Sequence, residues 1–180
     1  MGFWSIYSTK KNLDFIRNRL TGVTDNAEII CPGDLSNDTL VRAIIERLEK
    51  TVYSYNTIED GINALNEKQR IIFVLDYMEM EINNGGLCQF FVNSSRVVAP
   101  IVSKYLEVTG AFKHKKLYDD FISQNNIDVN NLSSFDSNTH KEFSAQYERY
   151  PFDDFDNAFY ELEPLETYLI PYIRENINDL

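Results

Sequence analysis

The chain has 180 residues, 43% of them hydrophobic, and this length predicts one domain that buries a core without metal or disulfide support. The formal net charge is −11, and residues 142–180 carry ten acidic residues against two basic ones. This excess of negative charge disfavours direct binding to nucleic acid, because the phosphate groups would repel it.

The two cysteines, Cys31 and Cys88, are far apart in the sequence and match no metal or redox spacing. Free thiols indicate a reducing compartment, so we expect a cytoplasmic protein. No apolar run reaches the length of a membrane span, and we expect no signal peptide. We interpret Phe3 and Trp4 as docking on the core, with contact to a membrane surface as the alternative.

The N-terminal part of the chain shows helical spacing twice. We predict that residues 1–35 form a helix and a connector that pack on a helical domain of residues 36–180. The first helix runs from Asn12 to Leu20. A single apolar stripe then indicates a helix that is capped by Ser36 or Asn37.

The middle of the chain predicts a short helix and then a central one. The short helix covers Thr57 to Leu65 and is weakened by Gly61. Asn66 caps the next helix, which is about 18 residues long and includes the apolar run Ile71 to Leu75. Apolar residues cover most of its circumference, so we expect it to be the central helix of the core.

Further helices complete the chain. Pro100 lies inside the next apolar stripe and is expected either to start that helix or to kink it. A helix around Leu117 follows, and residues 124–138 are predicted to form a loop. Two or three helices are predicted to end the chain, with a bend expected at Pro171 in the last one. Because strand signals are sparse, the sequence predicts an all-α fold, a compact single-domain helical bundle of about eight to ten helices.

The stretch from Glu79 to Ser95 is the most informative segment. Its Gly85 is predicted to take the left-handed conformation that closes the central helix, and Gly86 to allow a close approach of the next helix. Gln89 and Asn93 then share one face of the following helix.

Buried amides require hydrogen-bond partners, and the candidates precede the glycines. They are Glu79, Glu81 and Asn84. We favour a buried network that sets the angle between two helices. The alternative is a polar pocket in which Glu79 or Glu81 acts as acid or base. Ser94 and Ser95 are expected to cap the helix that follows.

This pattern resembles the signature of a bacterial helical family, long catalogued as a domain of unknown function, that includes an acidic DNA-mimic protein. The residues that carry the resemblance are Glu79, Glu81, Asn84, Gly85, Gly86, Gln89, Phe90, Phe91, Asn93, Ser94 and Ser95. Leu87 stands where the family has an aromatic residue. Weaker similarity continues to Gly110-Ala111, and to Asp153-Asp154-Phe155-Asp156 with Phe159-Tyr160, where the family has an Asp and an aromatic pair. The whole resemblance covers roughly residues 38–178.

The resemblance implies an all-helical fold, often dimeric, without an established catalytic activity. In the DNA-mimic member, surface carboxylates stand in for phosphates and occupy a DNA-binding protein. In this chain, the carboxylates that we assign to an acidic face lie near the C-terminus. They are Asp153, Asp154, Asp156, Glu161, Glu163 and Glu166.

The leading hypothesis is a non-enzymatic module that uses this acidic face to bind a basic or DNA-binding protein. One alternative is an immunity-type or antitoxin-type protein that inhibits a single cognate toxin. Another is a solvated surface without a partner. The basic cluster of Lys113, Lys115 and Lys116 offers a contact for the acidic face of a second copy, and hence a possible homodimer.

The remaining alternative is an enzyme, and the residues favour it least. His114 is expected in an exposed basic stretch, and neither it nor His140 has metal-ligand spacing. Cys88 is interpreted as a buried thiol. We find no motif for phosphate, dinucleotide or nucleophilic chemistry, and we predict no cofactor and no metal.

Overall fold

The computed structural model describes residues 36–180, which form eight α-helices and contain no β-strand. The prediction of an all-α fold is therefore confirmed. The predicted helix over residues 12–20 and the proposed N-terminal unit of residues 1–35 lie outside the described residues. The helices are α1 (Asn37–Val52), α2 (Ile58–Ala64), α3 (Glu67–Val92), α4 (Ala99–Val108), α5 (Phe112–Gln124), α6 (His140–Arg149), α7 (Phe152–Tyr160) and α8 (Glu166–Asn176).

Polar side chains begin the first three helices at the positions that the sequence indicated. The hydroxyl groups of Ser36 and Thr57 each accept a backbone N–H in the first turn of α1 and α2. Asn66 begins α3 with a capping box, in which its Oδ1 accepts the N–H of Gln69 at 3.0 Å. The Gln69 Oε1 accepts the N–H of Asn66 at 3.1 Å in return.

Helix α3 is the centre of the fold, as predicted. It spans 26 residues and contacts α1, α2, α4, α6, α7 and α8. Its length exceeds the expected 18 residues because the chain resumes helical geometry after the two glycines and continues to Val92. A helix with apolar residues around most of its circumference has to be surrounded by others.

Gly61 weakens its helix by low helix propensity, but it is required for packing. A Cβ atom built at this position would lie 2.2 Å from the carbonyl oxygen of Val52. The missing side chain therefore lets α2 pack directly against the end of α1.

The connection from α3 to α4 differs from the prediction. Ser94 and Ser95 do not cap α4 but begin a short 3₁₀ helix, and the Ser95 hydroxyl donates to the Phe90 carbonyl at 3.1 Å. Helix α4 has no side-chain cap and begins at Ala99. Pro100 lies in its first turn, where a missing N–H removes no helical hydrogen bond, so this proline starts the helix.

Aromatic side chains hold α7 against the core. Phe152, Phe155 and Phe159 are buried on one side of this helix. The ring centroid of Phe121 in α5 lies 5.3 Å from the ring centroid of Phe152 and 5.2 Å from that of Phe155. This packing places the opposite side of α7, which is rich in carboxylates, towards solvent.

No helix within residues 36–180 combines the length and the apolar character that crossing a membrane requires.

Candidate functional site

The two glycines produce a kink in α3 rather than its end. Gly86 has a φ of 78°, whereas Gly85 has a φ of −167°, an extended value that any residue adopts. The prediction that Gly85 takes the left-handed conformation was therefore wrong, and Gly86 takes the positive φ. Gly86 also faces Asp156 of α7, because a Cβ atom there would lie 2.1 Å from Asp156 Oδ2.

Asp156 binds the backbone of the kink. The geometry at the glycines interrupts the helix, so Leu87 begins a new helical segment and its N–H needs an acceptor outside that segment. Asp156 Oδ1 accepts this N–H at 2.8 Å. Burial raises the pKa of Asp156 to about 6, although the hydrogen bond from Leu87 opposes the shift.

Tyr160 binds the other side of the kink. Its hydroxyl donates to the carbonyl oxygen of Ile82 at 2.8 Å. Helix α7 therefore contacts backbone groups both before and after the two glycines, through Tyr160 and Asp156 respectively. These contacts fix α7 to the bend of the central helix.

A second set of buried polar side chains comes from both sides of the two glycines. Glu81 Oε2 accepts hydrogen bonds from Gln89 Nε2 and Asn93 Nδ2, each at 2.9 Å. Glu81 is one of the three candidate partners that the sequence suggested, and it binds both amides; all three side chains of this network are buried. Burial raises the pKa of Glu81, while the hydrogen bonds from Gln89 and Asn93 oppose the shift. Asn84 is exposed at the kink and receives neither of these bonds.

Glu79 connects α3 with α8. Its Oε1 accepts the N–H of Leu165, the residue before α8, at 2.8 Å. Burial raises the pKa of Glu79, and the hydrogen bond from Leu165 opposes the shift. The carboxyl groups of Glu79, Glu81 and Asp156 thus all accept hydrogen bonds within the protein, an arrangement that supports a bent core helix.

A cavity of about 310 Å³ opens elsewhere, between the start of α4 and the loop before α6. Arg96 lies in its wall, donates to the Leu132 carbonyl at 3.3 Å and pairs with Asp136 at 2.6 Å. None of the motif residues from Glu79 to Asn93 lines this cavity.

The candidate nucleophile Cys88 lies inside the protein, whereas His140 lies on its surface. Cys88 is buried, and burial together with the nearby Asp156 carboxylate raises the pKa of its thiol to about 12. His140 is exposed, with Nδ1 3.4 Å from the hydroxyl of Ser144. No cluster of His, Cys, Asp and Glu that could hold a metal ion occurs in the described part of the chain.

His114 is buried, so the expectation that it lies exposed was wrong. It retains only 2% of its accessible surface and packs between the rings of Phe159 and Tyr168. Helical spacing in α5 directs Lys113 to solvent and His114 to the core. Burial lowers the pKa of His114, while its hydrogen bond with the backbone of Glu163 opposes the shift.

Four carboxylates of the predicted acidic face are exposed. Asp153 and Asp154 lie in the first turn of α7, and Glu161 and Glu163 lie between α7 and α8. Asp156 is buried at the kink and does not belong to this surface. Glu166 is half-buried, and its charge contributes to the raised pKa values of Asp76 and Glu79. The four residues Asp153, Asp154, Glu161 and Glu163 form the exposed acidic group.

Several carboxylates elsewhere in the chain form ion pairs with basic side chains. Within residues 36–180, the exposed acidic group forms none. The described ion pairs are Lys68–Asp179, Arg96–Asp136, Lys104–Glu67, Lys115–Glu107, Lys115–Asp119 and Lys116–Asp120. Two lysines of the predicted basic cluster are therefore already paired with carboxylates of α4 and α5. Within residues 36–180 no ion pair involves the exposed acidic group, although the Tyr147 hydroxyl donates to Asp153 Oδ1.

Sequence reasoning missed the roles of Asp156 and Tyr160. A signal for Asp156 was present, because it follows Phe152 by four residues and thus falls on the buried side of α7. The hydrogen bond of Tyr160 to Ile82 joins residues 78 positions apart and leaves no local signal.

These features define a class of protein: within residues 36–180, an all-helical domain with a bent, largely apolar central helix that carries a buried polar network, and with an exposed acidic group that forms no ion pair in that range. The family model described as DMP19-like protein matches residues 63–176, more than half of the chain, and the chain belongs to that family. The resemblance inferred from the glycine motif is thereby confirmed. No curated protein and no solved structure is significantly similar to this chain.

Proposed function

We propose that this protein is a non-enzymatic interaction module that acts as a DNA mimic, occupying the DNA-binding surface of a basic protein. Membership of the DMP19-like family supports this proposal. The observation that carries it is the exposed acidic group, whose four carboxylates lack a described counter-charge. A surface of unpaired carboxylates attracts the cationic side chains that normally contact phosphates.

The kink gives this surface a fixed position. Asp156 and Tyr160 attach α7 to the bent helix α3, and the aromatic side of α7 packs on the core. A rigid array of charges binds with a smaller entropy loss than charges on a mobile segment. Asp153 and Asp154 are consequently held on a supported helix instead of a free tail.

The test compares two variants with equal changes in formal charge. One neutralises the exposed acidic group as Asp153→Asn, Asp154→Asn, Glu161→Gln and Glu163→Gln. The control neutralises four carboxylates that already contact lysines, as Glu67→Gln, Glu107→Gln, Asp119→Asn and Asp120→Asn. Tagged wild-type protein and both variants are used to capture proteins from a lysate of the native host.

We expect the wild type and the control to capture a DNA-binding protein, and the first variant to lose it. Added duplex DNA should displace this partner, and binding should weaken steeply as the salt concentration rises. Equal capture by both variants contradicts the proposal. Capture of a single effector that duplex DNA does not displace would instead support the immunity-type or antitoxin-type alternative.

Homodimer formation, which the family resemblance implies, stays a prediction. Light scattering of the purified chain tests it.

A further inference from the structure

The ring of Tyr160 is a large aromatic surface that α7 presents to solvent. Tyr160 exposes 51% of its surface, although its hydroxyl is bound to the carbonyl of Ile82 at 2.8 Å. A tyrosine that is held by its hydroxyl and exposed along its ring loses little conformational freedom when a partner covers it. Such residues are frequent at the centres of protein interfaces.

Acidic residues lie on the same helix as this ring and at its end. Asp153, Asn157 and Tyr160 are exposed and follow one another at the i, i+4, i+7 spacing, so they lie on the same side of α7. Glu161 follows directly as the residue that ends the helix, and the last turn contains no basic side chain. A helix C-terminus carries a partial negative charge, which attracts cations to the same place.

The chain already stacks cations on other tyrosines. Lys104 lies 5.7 Å from the ring centroid of Tyr105, and Arg149 lies 5.2 Å from that of Tyr150. Neither of the cation–π contacts found in residues 36–180 involves Tyr160. Its ring therefore combines exposure, a fixed orientation and acidic residues on the same helix, without a described cation over it.

We infer that the C-terminal end of α7 is the point where one arginine of the basic partner is recognised, its guanidinium stacked on the Tyr160 ring and paired with Glu161. Arginine fits better than lysine because its guanidinium is planar, stacks on aromatic faces and pairs with a carboxylate through two parallel hydrogen bonds. This inference rests on the proposed function, and it adds Tyr160 as the residue that distinguishes arginine from lysine. Charge alone attracts both side chains equally.

The experiment measures binding of the full chain to an octa-arginine peptide and an octa-lysine peptide at low ionic strength. We expect the wild type to prefer octa-arginine by roughly two- to fivefold, the range for a cation–π contact at an exposed site. Tyr160→Leu should abolish this preference, so that octa-arginine and octa-lysine bind with equal affinity. Tyr160→Phe, which keeps the ring and loses only the hydroxyl, should retain it.

Phe112→Leu is the matched control, because Phe112 is an aromatic residue that exposes 64% of its surface at the start of α5, outside the acidic segment. It should keep the preference for octa-arginine. A preference that survives in Tyr160→Leu, or equal binding of both peptides by the wild type, overturns the inference while the proposed function stands. If the wild type binds neither peptide, the inference and the proposed acidic recognition both fail.

Discussion

Asp156 shows how one residue decides the geometry of its surroundings. Counted with the acidic residues of its segment, it belongs to a charged surface. In the folded chain its carboxyl is buried, accepts the Leu87 N–H and faces Gly86. The residue thus serves as the cap of a helical segment to which it is not joined in sequence.

Substitution of Asp156 tests this capping role. Both Asp156→Asn and Asp156→Leu remove the buried charge, but only asparagine keeps an oxygen that accepts the Leu87 N–H. We expect the leucine variant to be less stable than the asparagine variant by about 1–3 kcal/mol, the cost of a buried donor without a partner. Urea unfolding followed by circular dichroism measures the difference. Equal free energies of unfolding for the two variants would show that the bond contributes nothing.

At the scale of the element, helix α3 is two helical segments joined at a bend. The first segment begins at the Asn66 capping box, and the second carries Gln89 and is followed directly by Asn93. Both amides return to Glu81 of the first segment, so the network spans the bend. A satisfied buried network of this kind holds one relative orientation of the two segments.

Alanine substitution at the two glycines with a positive φ compares a position in open space with one that faces Asp156. Gly110 has a φ of 79° and no atom within 4 Å of a built Cβ, so Gly110→Ala should cost only the strain of about 1–2 kcal/mol. Gly86→Ala should cost more. Gly86 combines a φ of 78° with a ψ of 176°, a region that only glycine adopts readily and that costs other residues about 1–3 kcal/mol, and its Cβ would also meet the Asp156 carboxylate, where overpacking adds about 1–3 kcal/mol. Thermal unfolding of both variants tests this order. A Gly86→Ala variant no less stable than Gly110→Ala would mean that Asp156 moves aside freely.

At the scale of the whole molecule, acidic residues of three helices influence one another. Burial, followed by the charges of Glu49 in α1, Glu79 in α3 and Glu166 in α8, raises the pKa of Asp76 to about 7. The folded protein therefore retains this proton to a higher pH than the unfolded chain. The Asp76 contribution to stability is complete below about pH 3.8 and is lost as the pH rises through about 7.

Asp76→Asn should consequently stabilise the protein in a pH-dependent manner. At pH 8 it removes a half-buried charge that lies near other carboxylates, and we expect the free energy of unfolding to rise by on the order of 1–3 kcal/mol. At pH 5 the carboxyl is mostly protonated in the fold, so the gain should be much smaller. Denaturant unfolding at both pH values measures the gain in free energy of unfolding, and Glu107→Gln serves as a control at an exposed carboxylate. The same gain at both pH values would contradict the raised pKa.

The sequence by itself determined the all-α fold, the beginnings of α1, α2 and α3, and the central place of α3. These features follow from helical spacing and from caps that act within a few residues. Only the tertiary structure decided that Gly86 takes the positive φ, that Asp156 and His114 turn inward, and that Tyr160 is anchored at the kink. The reason is physical: the bond from Leu87 to Asp156 joins residues 69 positions apart, and such contacts depend on how helices pack against one another.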